Sequence, residues 1–522
     1  MRGFYLRMAG AAPGWNNARM CAVPTLAPLR RTPPAAVLAL AALAAAALPA
    51  AACAADAAPA GRPELSDCRL PHPFGLGSVA ARCGSLRVAE DPAAPRGPQI
   101  ELRFAVVPAL DRRRPREPLF IIAGGPGQAA TDFYAGFAAA FAAAQRTRDL
   151  VLVDQRGTGG SHRLACDFPD DFELRTPAPE RIRELSAACR RGLKGRPQFY
   201  TTSVAVRDLE AVRVALGYGR IDLYGISYGT RVAQHYLRRF GARVHAVVLD
   251  GVLAPDRTLG PETPFDAQRA LDLMFARCAA DAACNAAFPD LAARFAALRA
   301  RLAARPVKVA VADPESGAPR TVEFDAQQLA GAVRLLNYYP ATTSLLPLFI
   351  DRAARGDLQP LAGQLLLLGA HFDAQVAYGM NAAVACTEDV PALARIDRAA
   401  LARTYLGAAQ VDGLAALCEG WPPGVVDADL FAPLHSRVPA LLLSGEADPV
   451  TPPGSGARAA QAFSDVRHVV VPGQGHGQLA TGCAPRVIAA FLDAGTARGL
   501  DTQCLESAAP APFVLDLSGP GP

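Results

Sequence analysis

With 522 residues, 51% of them hydrophobic and 19% charged, the chain is long enough to bury one large core or two moderate ones, which excludes a disordered or fibrous protein. The net charge is only +5, from 53 basic and 48 acidic residues with no long basic run, so the charge pattern offers nothing to nucleic acid.

The first element is an export signal over residues 1–54. Arg30 and Arg31 precede the uncharged run AAVLALAALAAAALPAAACA, Ala35 to Ala54, whose small terminal residues suit signal peptidase. The alternative is a membrane anchor, for which the run is near the lower length limit. Removal of the signal leaves no stable membrane span. Cys53 is a candidate for lipidation, although Ala50 stands where lipoprotein boxes usually carry Leu, and Met20 is an alternative start. Of twelve cysteines, ten follow this region. An even number without a CxxC pair or a clustered Cys/His ligand set favours disulfides in a periplasmic or secreted protein over zinc or free thiols. Their order suggests five local bridges, with Cys278 and Cys284 the most closely spaced.

After the signal, SLRVAED and QIELRFAVVPAL predict an antiparallel strand pair across DPAAPRGP. A second rhythm follows in PLFIIAGG, DLVLVDQRG, IDLYGIS, HAVVLDG, PALLLSGE and RHVVVPG. Such continuous apolar runs suit strands covered on both faces, and YAGFAAAFAAAQ, VAVRDLEAVRVALG and TRVAQHYLRRF supply crossover helices. The fold class is therefore α/β, with a mostly parallel central sheet. Residues 55–254 and 439–505 form its two parts, and 255–438 form a mainly helical inserted cap. In the cap, Leu291, Phe295, Leu298 and Leu302 give LAARFAALRARLAARP an apolar face, and VKVAVADPESGAPRTVEF predicts a hairpin. Residues 506–522, rich in Pro, Ala and Gly, are expected to form a loose tail.

Ser227 in LYGISYG lies between a strand pattern and a helix pattern, the setting of a nucleophile elbow. A serine hydroxyl needs a base and the base needs an orienting acid, in the order Ser, acid, His along this fold. Asp448 in GEADPVTPP and His476 in GQGHG follow successive strands and take those positions. Asp250 in LDG is the rival acid, and Glu446 a weaker one. The oxyanion hole is expected from the amides of Tyr228 and Gly125, with Gly124 as the second choice in AGGPGQ.

The motifs IIAGGPGQ, LVDQRGTGGSHRLAC, YGISYGTRVAQ, GEADPVTPP and GQGHG resemble the exported tripeptidyl aminopeptidase and prolyl iminopeptidase branch of the α/β-hydrolases, with a TAP-like C-terminal segment. The resemblance spans about residues 83–483. It implies the α/β-hydrolase fold, peptide substrates cut near a free N-terminus, and no metal or organic cofactor. Ala123 departs from the HGGPG usual in prolyl iminopeptidases, which argues against strict proline specificity. Asp154 and Arg156 are expected to brace the loop beside the oxyanion hole. An esterase acting on small or polyketide-like esters with the same triad is the alternative reading. A cap carboxylate would hold the substrate ammonium, and Glu388 and Asp389, beside Cys386 and a bridge to Cys418, are the candidates. Their alternative role is as solvated or helix-capping residues.

Overall fold

Two rhythms of hydrophobicity set the architecture of the protein. The computed structural model describes residues 62–520 apart from 167, 170–176 and 315, so the expected signal, Cys53 and Met20 lie outside the described residues. In β1 (Ser66–Pro71), β2 (Ser78–Ala89) and β3 (Gln99–Val107), buried positions are interleaved with exposed ones, as in strands with one face toward water, and the three pair antiparallel. Strands β4 (Leu119–Ile122) and β5 (Leu150–Val153) are buried at every position. In β6 (Ile221–Ile226) and β7 (Val244–Asp250) one residue of each escapes full burial.

Helices cover both faces of these strands. Helix α1 (Ala130–Gln145) packs Phe133 and Phe141 into one core together with Ile488 and Phe491 of the helix Ala484–Ala494. After α2 (Pro179–Gly192), α3 (Thr202–Leu216) and α4 (Tyr228–Phe240) bury Val206, Leu209, Val232 and Tyr236 in the opposite core. Gly217 ends α3 with φ 76°, a left-handed cap that glycine adopts without steric cost.

Between β7 and the next sheet strand the chain forms helices and one hairpin. Helices α5 (Thr263–Ala280), α6 (Ala282–Ala287) and α7 (Leu291–Ala304) are followed by β8 (Val307–Ala312), β9 (Pro319–Phe324) and α8 (Ala326–Leu336). They share a third core that includes Leu291, Phe295, Leu298 and Leu302, the residues of the predicted apolar face. Asp325 starts α8 by accepting from Gln327 N and Gln328 N.

The chain returns to the sheet in β10 (Ala440–Gly445) and β11 (Val466–Val471). Among the described residues the main sheet has nine strands in the order β1-β2-β3-β5-β4-β6-β7-β10-β11, and from β5 to β11 all neighbours run parallel. Loops following β4, β6, β7, β10 and β11 therefore emerge at one edge, where an open parallel sheet places ligands. Five disulfides join Cys68–Cys83, Cys166–Cys189, Cys278–Cys284, Cys386–Cys418 and Cys483–Cys504, each between successive cysteines. The expected loose tail is corrected in part: Phe513 is buried in the third core with Arg277 4.0 Å over its ring, and Val514 N bonds Ser344 O. Apolar residues within a Pro-Ala-rich composition dock this segment.

Candidate active site

The site is built on the elbow between β6 and α4. Ser227 has φ 56° and ψ −124°, a conformation that side chains rarely adopt. Its amide donates to Asp250 O at 2.9 Å, and Thr230 holds its carbonyl through both N (2.9 Å) and Oγ1 (2.7 Å), so the surrounding structure determines the turn. The two glycines of GISYG are needed for packing. A Cβ on Gly225 would lie 2.5 Å from Gly229 O, and one on Gly229 would lie 2.4 Å from Ile122 O. The turn thus fits only if strand, helix and neighbouring strand touch backbone to backbone.

Pairing of Ile122 with Gly225 brings the loop AGGPGQ alongside. A Cβ built on Gly124 would come 3.2 Å from Ser227 Cβ, which measures how closely this loop approaches the serine. The amides of Tyr228 and Gly125 donate to no other group among the described residues; an unpaired first-turn N–H is what a helix N-terminus provides. The loop is pinned from behind. Ala377 N bonds Gly127 O at 2.9 Å and Asn381 Nδ2 bonds Pro126 O at 2.9 Å. Asp154 accepts from Thr131 N, Thr131 Oγ1 and Gly160 N, and Arg156 forms a two-pronged pair with Asp208 at 2.6 and 2.8 Å. Asp154 thus braces the start of α1, whereas Arg156, expected to brace the loop, instead ties the segment after β5 to α3 and to the carbonyls of Glu90 and Phe199.

Across the edge, Asp448 Oδ2 lies 2.8 Å from His476 Nδ1. Its other oxygen, Oδ1, accepts from Val450 N and Thr451 N, each at 2.8 Å, and Thr451 Oγ1 donates to Oδ2 at 2.9 Å. Burial raises the Asp448 pKa, but His476 and these donors outweigh it and hold the carboxyl below its usual range. For His476 burial disfavours the imidazolium, yet Asp448 more than offsets this and raises the imidazole above its ordinary range. The imidazole rests on Gly251, where an added Cβ would be 3.1 Å from its Cε1, one residue beyond the carbonyl that receives Ser227 N. The Ser227 hydroxyl has no hydrogen-bond partner among the described residues, and Thr230 holds only its backbone carbonyl.

The rival acids have other partners. Asp250 accepts from Tyr224 Oη, Gln478 N and Leu479 N, so it anchors the loop just beyond His476; burial pushes its pKa up to about 6. Glu446 Oε2 accepts from Gly473 N on the exposed side of that loop. His162, His235, His245 and His468 pair with Tyr200, Asp427, Asp222 and Ser444.

Glu388 and Asp389 require a correction of the expected arrangement. Both side chains are fully buried, and Arg231, four residues after Ser227, binds Glu388 Oε2 at 3.1 Å and Asp389 Oδ1 at 2.6 Å. Thr202 N and Oγ1 complete Glu388, and Leu259 N bonds Asp389. These carboxylates are neither solvated nor free to receive an ammonium; they tie the inserted segment to α4. Thr451 is the residue the sequence reading missed. Its spacing after Asp448 is that of an Asx turn, in which a side-chain oxygen accepts from amides two and three residues on.

A strained serine at a strand-helix elbow, an Asp-His pair on the following strands and two free amides define a serine-hydrolase arrangement on an α/β sheet. A family model for the α/β hydrolase fold matches residues 117–482, and the chain belongs to that family. Among similar proteins, the tripeptidyl aminopeptidase of Streptomyces lividans is 29% identical over 210 residues, 37% of this chain and 38% of that one. The chain thus spans well under half of the Streptomyces enzyme it matches. The serine protease Hip1 of Mycobacterium tuberculosis is 26% identical over 499 residues, covering 84% of this chain and 90% of its own. Carboxylesterase B of the same organism is 31% identical over 421 residues, with 73% and 78% coverage.

Proposed function

We propose that the protein is an exported serine exopeptidase that hydrolyses amide bonds near the free N-terminus of peptides. The observation that carries the reading is the 2.8 Å Asp448–His476 bond at the same sheet edge as the Ser227 elbow. His476, oriented by Asp448 with its Nδ1 proton held, takes the Ser227 proton at Nε2 as the hydroxyl attacks a carbonyl. The oxyanion is met by the amides of Tyr228 and Gly125, and the α4 N-terminus favours the developing charge. The imidazolium protonates the leaving amine, and water repeats the sequence on the acyl-enzyme. Peptide specificity is supported by the relatives named tripeptidyl aminopeptidase and serine protease, and export by the five disulfides.

The carboxylesterase relative favours a second reading, an esterase using the same residues. The test compares a tripeptidyl amide, an aminoacyl amide, an N-blocked tripeptidyl amide and a simple ester. The peptidase reading expects the free tripeptidyl or aminoacyl amide to have the highest kcat/KM. Turnover of the ester alone would support the alternative.

A further inference from the structure

The imidazole of His476 is held from two sides. The strand loops supply Asp448 and Gly251; the other side is the segment that leaves α8. Tyr338 O accepts from His476 N at 2.7 Å. The Tyr338 ring meets the imidazole edge-on, with centroids 5.7 Å apart and planes at 82°. An added Cβ on Gly475 would lie 2.1 Å from Tyr338 O, so the two backbones are in direct contact. The ring is itself gripped: Phe372 packs against it at 5.7 Å, and Arg334 bonds its hydroxyl at 3.1 Å while lying 5.5 Å over its face.

Building on the proposed Ser-His-Asp chemistry, we propose that Tyr338 and Arg334 of the inserted segment are positioning residues for His476, fixing the imidazole at the sheet edge that carries Ser227. Orientation follows from the carbonyl, which holds the His476 backbone, and the ring, which packs against its imidazole. The charge effect follows from balance. Asp448 and Asp250 favour the imidazolium; burial and the Arg334 guanidinium disfavour it. Asp448 itself faces Arg269, which donates to its backbone carbonyl, and Tyr339. Arg334 thus partly opposes the two carboxylates, and its place is set by the Tyr338 hydroxyl.

This arrangement couples the inserted segment to the chemistry. A segment seated correctly delivers a competent base; one displaced from the sheet edge removes the contact that holds it.

The experiment measures inactivation by a fluorophosphonate against pH, for the parent, Arg334→Gln, Arg334→Lys, Tyr338→Phe and Tyr338→Leu. The parent rate should rise with pH as His476 loses its proton. Arg334→Gln should move that rise upward by about half a pH unit, and Arg334→Lys should restore it. Tyr338→Leu should slow labelling about tenfold or more, while Tyr338→Phe, which keeps the ring, stays within about twofold of the parent. Thermal unfolding of each variant distinguishes loss of fold. An unmoved pH profile in folded Arg334→Gln, or equal rates for Tyr338→Leu and Tyr338→Phe, would overturn this inference while leaving the Ser227 reading intact. Absence of Ser227 labelling in the parent would overturn both.

Discussion

Replacing Asp448 by Asn separates an orienting carboxylate from a structural one. The Asn carbonyl can take the place of Oδ1 and keep the bonds from Val450 N and Thr451 N, so the turn survives. The amide NH2 then faces His476 Nδ1, where Oδ2 accepted at 2.8 Å. A donor there forces Nδ1 to accept, and the ring proton moves to Nε2, the atom that must receive the serine proton. The expected loss in kcat is about a thousandfold to ten-thousandfold, or roughly 4 to 5.5 kcal/mol of transition-state stabilisation. The pH profile carries a second signature. Burial lowers the His476 pKa and Asp448 outweighs it, so the parent's acidic limb is shifted upward from that of an ordinary imidazole and should fall in Asp448→Asn as the raising partner is lost. The assay is tripeptidyl-amide hydrolysis across pH, with Asp250→Asn alongside. Asp250 holds Gln478 and Leu479 rather than the imidazole, so its substitution should cost stability and only a smaller part of the activity. Asp250→Asn proving far more damaging than Asp448→Asn in folded protein, or an Asp448→Asn loss below about tenfold, would refute the assignment.

Other consequences can be measured directly. Glu388→Gln should lower unfolding free energy by about 1.5 to 3 kcal/mol through its bonds to Arg231 and Thr202. It should also depress kcat/KM equally for free-amine and N-blocked peptides; selective loss on free amines would return Glu388 to the substrate ammonium. Gly229→Ala, whose Cβ would meet Ile122 O at 2.4 Å and Ala123 O at 2.6 Å, should abolish activity and lower the unfolding temperature, and a parent-like variant would show that the elbow is not closed as described. Alkylation of unreduced, denatured protein from its native compartment should label none of the ten cysteines in the five bridges, whereas ten free thiols would contradict them.

What was legible in the sequence was local. Runs such as LFII and LVLV are buried on both faces, and that need is written in consecutive residues. The GISYG elbow, Asp448 and His476 each sit in a short strand-then-loop pattern, so parallel pairing alone brings them to one edge. Strand β1 was not foreseen because SDCRLP buries only Leu70 fully and depends on pairing with β2. Contacts between distant segments were hidden for a different reason. Arg231 meets Glu388 157 residues later, and a carboxylate near a cap cysteine reads equally well as a ligand site or as an ion pair until its partner is known. Tyr338 is similar: it meets His476 through a backbone carbonyl, which leaves no trace in residue type, and through a ring whose partner lies 138 residues later.

The most direct measurement is hydrolysis of a tripeptidyl amide by Ser227→Ala, with folding checked by thermal unfolding. The elbow should accept the smaller side chain, since its backbone is held by Asp250 O and Thr230. Ser227→Ala should give a folded protein with turnover reduced by about a millionfold, and His476→Ala should be equally impaired. Turnover by Ser227→Ala within tenfold of the parent would contradict the claim that this serine is the nucleophile.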